Sequence, residues 1–127
     1  MQRISIITLF VFCIVSIAAC VGSPVHETIT YNRIQSAIKR NNKNLLAMKI
    51  GMSQEQTMEL MGEPEKSEGY IWGSAWFYRT AKTVEIYKTS DSDFTPIVFD
   101  GEGKVIGWGR NFYTDVRRRY EIDINVK

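Results

Sequence analysis

The mature-looking part of the chain changes its hydrophobic grammar near Pro64. Before it, apolar residues recur at helical intervals: Tyr31, Ile34 and Ile38 fall at i, i+3 and i+7, on one face of a helix. The run Asn41-Asn42-Lys43-Asn44 interrupts that pattern, because asparagine side chains compete for backbone hydrogen bonds, and Leu45, Leu46 and Met48 resume it. Ser53 predicts the start of a second helix. Gln56 three residues later completes a capping box, Thr57, Met58, Leu60 and Met61 supply the stripe, and Gly62 with Pro64 predicts the stop at Met61.

After Pro64 the pattern predicts strands. Tyr70 to Thr80 is aromatic-rich, Thr83 to Tyr87 is a weaker candidate, and Thr89 to Asp93 is a polar loop. Pro96-Ile97-Val98-Phe99 is a compact strand with proline near its start, where no central ladder bond is lost. Asp100-Gly101-Glu102-Gly103 predicts a hairpin turn, with Lys104 to Tyr113 as the returning strand. Tyr120, Ile122, Ile124 and Val126 alternate with polar residues, which predicts a terminal strand, entered through a basic turn at Arg117-Arg118-Arg119. Helices followed by an antiparallel meander make an α+β chain, with two N-terminal helical segments packed on one face of a sheet of three to five strands.

Alternation also sorts the aromatics. Tyr70, Trp72, Trp76 and Tyr78 share one face of the first strand, and Ile71, Gly73, Ala75 and Phe77 the other. In the Lys104 strand, Ile106, Trp108 and Phe112 oppose Val105, Gly107 and Gly109. Either the helices cover the small face and leave Trp72, Trp76, Tyr78, Trp108 and Phe112 as a partner-binding surface, or those aromatics are the core beneath the helices. Gly107-Trp108-Gly109 is best explained by a close approach or a bulge.

The N-terminus carries an address. Arg3 precedes the apolar run Ile4–Ala19, which is short for a membrane span and suits a secretory signal. Ile17-Ala18-Ala19-Cys20 resembles the bacterial lipobox, which implies diacylglyceryl attachment at Cys20 with residues 1–19 removed as signal peptide. Val21, rather than aspartate, follows the cysteine, and the usual sorting rule then implies the outer membrane, facing the periplasm. Residues 20–28, with Gly22, Ser23 and Pro24, form a tether to a domain over 29–127.

Composition narrows the chemistry. In 127 residues, 16 Lys and Arg against 14 Asp and Glu give +2, too balanced for a nucleic-acid binder. The lone His26 lies in the tether, and Cys13 leaves with the signal, so Cys–His and Ser–His–Asp catalysis lack their parts. Asp91 and Asp93 are spaced as a DxD, but no further oxygen ligands follow at loop spacing, so a solvated turn and no metal are expected. No cofactor motif occurs, and no enzyme is expected.

Lys49 to Gln56 followed by Leu60-Met61-Gly62-Glu63-Pro64, then Trp76-Phe77-Tyr78 and the Phe99 to Lys104 hairpin, resembles small outer-membrane lipoproteins of the SmpA/OmlA (BamE-like) type. The resemblance implies an accessory or interaction subunit in outer-membrane protein assembly or envelope maintenance, with an envelope protein as partner. The alternative is a periplasmic binding or inhibitory module of the same fold. Arg117, Arg118 and Arg119 are candidates for lipid headgroups, and the terminal strand for pairing with another chain.

Overall fold

Four antiparallel strands in the order β1-β2-β3-β4 organise the computed structural model, which describes residues 24–82 and 88–125. Helix α1 (Pro24–Leu45) and helix α2 (Gln54–Met61) precede the sheet, whose strands are β1 (Lys66–Tyr70), β2 (Gly73–Arg79), β3 (Phe94–Asp100) and β4 (Val105–Trp108). Helix α3 (Arg110–Asn125) comes last. The chain divides into two units, Met1–Asn32 and Arg33–Lys127. In the first, the described residues are helical and belong to α1, which begins within the tether segment. The second holds the rest of α1, helices α2 and α3, and the whole sheet.

Helix α2 forms as its local residues dictate. The Ser53 hydroxyl accepts from the Gln56 backbone N–H, and the Gln56 side chain accepts from the Ser53 N–H. Gly62, at φ +79°, closes the last turn by donating to the Met58 carbonyl. The Asp100–Gly103 turn is equally local: the Asp100 carboxylate accepts from the Glu102 and Lys104 N–H groups, and Gly103 adopts φ +73°.

The asparagine run does not break α1, which continues to Leu45. Its side chains turn outward instead of competing for their own backbone. Asn41 donates to the Arg79 carbonyl, Asn42 to that of Thr80, and Asn44 to that of Leu60, at 2.7–2.8 Å. Three residues whose propensity marks them as helix breakers therefore clamp the end of α1 onto β2 and α2.

The sheet has two covered faces. On one, Tyr78, Ile97, Phe99 and Val105 are buried with Met48 of the α1–α2 connection and Met61 of α2, and Trp76 and Trp108 pack around them. The N-terminal helical segments thus cover the face that carries Trp76, Tyr78 and Trp108, and for these three the core reading holds, whereas Trp72 and Phe112 lie on the other face. On the other face, Ala75, Phe77 and Val98 meet Tyr113 and Val116 of α3.

Helix α3 corrects the expected C-terminal strands. The returning strand ends at Trp108, Gly109 takes φ +96°, and the Gly109 carbonyl accepts from Tyr113 N–H, opening a helix that carries Phe112 and Arg117–Arg119. Tyr113, Val116 and Tyr120 fall at i, i+3 and i+7, and burial of the first two against the sheet outweighs the alternation around residue 122. Gly107 makes this possible, because the Phe112 ring lies where a Cβ would stand. The expected strand from Tyr70 to Thr80 is likewise two strands, broken by the turn at Ile71-Trp72. The candidate strand Thr83–Tyr87 lies outside the described residues, and the loop after it ends in a 3-10 turn over Asp91–Asp93.

Candidate functional site

The tip of the β1–β2 hairpin and the facing turns of α3 form the site. Tyr70 pairs with Gly73 across a two-residue turn, so the chain reverses sharply at Ile71-Trp72. Only glycine serves at 73, where φ is +151° and a Cβ would meet the Phe99 carbonyl oxygen at 2.0 Å. The reversal leaves Ile71 91% exposed. Trp72 folds against Tyr70, with ring centroids 4.7 Å apart and 5° between planes, and against Tyr120 at 5.5 Å and 17°. A slot of about 120 Å³ at the tip is lined by Tyr70, Ile71, Trp72, Arg117, Tyr120 and Glu121.

Beneath the rings sits a polar clamp. Both the Tyr70 and Tyr113 hydroxyls donate to one Glu68 carboxylate oxygen, and Lys66 Nζ lies 2.6 Å from the other. Partial burial pushes the Glu68 carboxyl up, but the hydrogen bonds from Lys66, Tyr113 and Tyr70 outweigh it and bring it down to about 2. Burial and the adjoining carboxylate push both phenols up, so they stay protonated as donors. Arg117 stands 5.6 Å from the Tyr113 ring centroid and 6.0 Å from that of Tyr70, and reaches Glu121 at 3.3 Å. A general acid or base works best with a pKa near the working pH. Here each group is held far from that condition, in an arrangement suited to pinning the hairpin on α3.

The structure separates the candidates taken from the sequence. Trp72 belongs to the tip, because the turn breaks the alternation that placed it beside Trp76. Tyr78 is 1% exposed, donates to the Gly62 carbonyl at 2.9 Å, and is core rather than surface. Trp76 and Trp108 are half-buried on the α2 face, and Trp76 borders a shallow groove with Met58, Glu55 and Glu59. Phe112 packs on Gly107 under α3. The five aromatics do not form one surface. Arg117 is held within the tip, Arg118 lies 3.7 Å from Asp115, and Arg119 is exposed on the helix. Cys20 lies outside the described residues.

Asp93 is buried rather than solvated: it caps Ser90 and lies 3.7 Å from Arg79. The Asp91 carbonyl accepts from Arg110. Sequence reasoning missed Glu68, Ile71, Tyr113 and Tyr120 as site residues. The i, i+4, i+7 spacing of Tyr113, Arg117 and Tyr120 is the signal that would have found the last two, once a helix was recognised there.

Comparison with known proteins adds two findings. A family model described as "Protein of unknown function (DUF3192)" matches residues 16–115. Among solved structures, one described as osmotically inducible lipoprotein OsmE is 30% identical, over 55% of this chain and 70% of that one, with a TM-score of 0.40. No curated protein matches the chain at a significant level.

Proposed function

We propose that this chain, which belongs to the DUF3192 family, is a non-enzymatic lipoprotein of the cell envelope that docks a protein partner through its hairpin tip. Lipidation at Cys20 tethers it, and Val21 directs it to the periplasmic side of the outer membrane. The lipobox over Ile17–Cys20 and the OsmE lipoprotein's 30% identity support the anchor. The finer reading is the SmpA/OmlA type, an accessory subunit in outer-membrane protein assembly or envelope maintenance.

One observation carries the docking role. Ile71 is 91% exposed at a reversal held by glycine geometry, a three-ring stack and a shared carboxylate. An apolar side chain exposed on so rigid a base loses little further conformational freedom on binding, which is the condition under which a small contact becomes a hot spot.

Pull-down from detergent-solubilised envelopes tests the reading with wild type, Ile71→Ser and Cys20→Ser. Ile71→Ser leaves the circular dichroism spectrum unchanged and cuts partner recovery at least tenfold. Cys20→Ser loses the diacylglyceryl mass and the membrane fraction. Assembly-machine subunits in the wild-type eluate support the finer reading, and a lone soluble enzyme would replace it with an inhibitory module. Equal recovery with Ile71→Ser refutes the tip as the docking site.

A further inference from the structure

The two margins of the sheet differ. Along β4, Gly51 N–H donates to the Val105 carbonyl and Val105 N–H donates to the Met52 carbonyl, so the chain itself closes that edge. Along β1, the other margin, no described strand is paired on the outer side. Which of its groups point outward is decided by proline. Pro96 has no N–H and stands opposite Phe77, so Phe77 directs its backbone groups to β1 rather than β3. Glu65 N–H donating to the Phe77 carbonyl at 3.0 Å agrees with that direction. Lys66, Glu68 and Tyr70 therefore face β2, and the N–H and C=O groups of Ser67 and Gly69, both exposed residues, face outward. An edge of this kind is a template for another strand.

We propose that β1 pairs antiparallel with β1 of a second copy of this chain, about a two-fold axis at Ser67, giving one continuous eight-stranded sheet. The charge pattern selects both occupant and register. Centred on Ser67, the pairing sets Lys66 opposite Glu68 of the second copy, and Glu68 opposite its Lys66, on one face. On the other face Glu65 stands opposite Gly69, so no like charges meet. Centred on Glu68, the two carboxylates would oppose each other. Lys66 already stands 2.6 Å from its own Glu68 and is half exposed, so the four charges form an alternating cluster. An isologous contact of this form closes on itself and leaves no free β1 edge. The pairing runs through the outward N–H and C=O groups of Ser67 and Gly69, outside the hairpin tip, while Lys66 and Glu68 are shared with the clamp beneath it.

Oxidative cross-linking of the full-length protein in envelope membranes tests it. Hydrogen-bonded residues opposite each other lie about 5.5 Å apart at Cα, within disulfide reach, so Ser67→Cys forms a covalent dimer on addition of copper phenanthroline. Two Gly69 residues would be about 13 Å apart along the strands, so Gly69→Cys cross-links at least tenfold more slowly. Adding Lys66→Glu to Ser67→Cys places like charges in opposition and lowers the rate at least fivefold, while thermal melting confirms that each variant is folded. Comparable rates for Ser67→Cys, Gly69→Cys and the parent chain overturn the proposal. So does no dimer at all, or a product whose second half is another protein's strand.

Discussion

Replacing Gly107 by alanine tests whether α3 is seated as described. An ideal Cβ at 107 would stand 2.4–2.6 Å from three atoms of the Phe112 ring, where ordinary contact is about 3.4–4 Å. The ring or the helix must retreat by about 1 Å, and overpacking of that order costs about 1–3 kcal/mol. Against this, alanine in a strand gains about 0.5–1 kcal/mol over glycine. The net expectation for Gly107→Ala is therefore a loss of about 1–2 kcal/mol. Removing the obstacle reverses the sign: in a Phe112→Ala background, the same replacement stabilises by about 0.5 kcal/mol, a coupling of about 2 kcal/mol between the two positions. Urea unfolding of the full chain in mild detergent, monitored by tryptophan fluorescence, measures all four proteins. Additivity within about 0.5 kcal/mol would show that Phe112 does not sit over Gly107, and with it that a strand rather than a helix succeeds Trp108.

The clamp and the cap give two further expected outcomes. Glu68 has a folded pKa of about 2, below its ordinary 4.5, so its contribution is present above that ordinary value and is lost as pH falls through the range toward 2. With the carboxylate 26% exposed, solvent screening reduces the contribution to about 1–2 kcal/mol, and melting curves between pH 6 and pH 2.5 should be flatter for Glu68→Gln than for wild type. A variant whose melting falls with acid as steeply as wild type contradicts the clamp. Ser53→Ala removes an acceptor used by the Gln56 N–H and should cost about 1 kcal/mol in urea unfolding; no change would mean water satisfies the end of α2 equally well.

Helix α2 and the Asp100–Gly103 turn were legible because their causes lie within a few residues. A serine hydroxyl, a glutamine three positions on, an aspartate facing its own turn and glycines at positive φ form the same local bonds wherever they are placed. The α+β order of elements was legible for a similar reason, since helical spacing precedes Pro64 and strand-like runs come after it. The asparagine run was misleading. Its helix-breaking tendency is local, but the partners that overcome it are carbonyls of Arg79, Thr80 and Leu60, distant in the chain. The C-terminal segment failed in a related way, because its apolar residues satisfy two periods at once. Only the exposed side of Ala75, Phe77 and Val98, which needed a cover, chose the helical one.

The candidate site shows the same division. Tyr70, Trp72 and the glycine after them are visible as a cluster, but a two-residue reversal sends Trp72 to the face opposite Trp76, and alternation cannot count across a turn it does not see. Glu68 becomes a shared acceptor only when β1 and α3 bring two phenols to one oxygen, across more than forty residues of chain. Local chemistry therefore settled the capped helix and the hairpin, whose determinants are contiguous. Packing settled which face each aromatic occupies and what the last helix is, because burial is a property of the surface that waits to be covered.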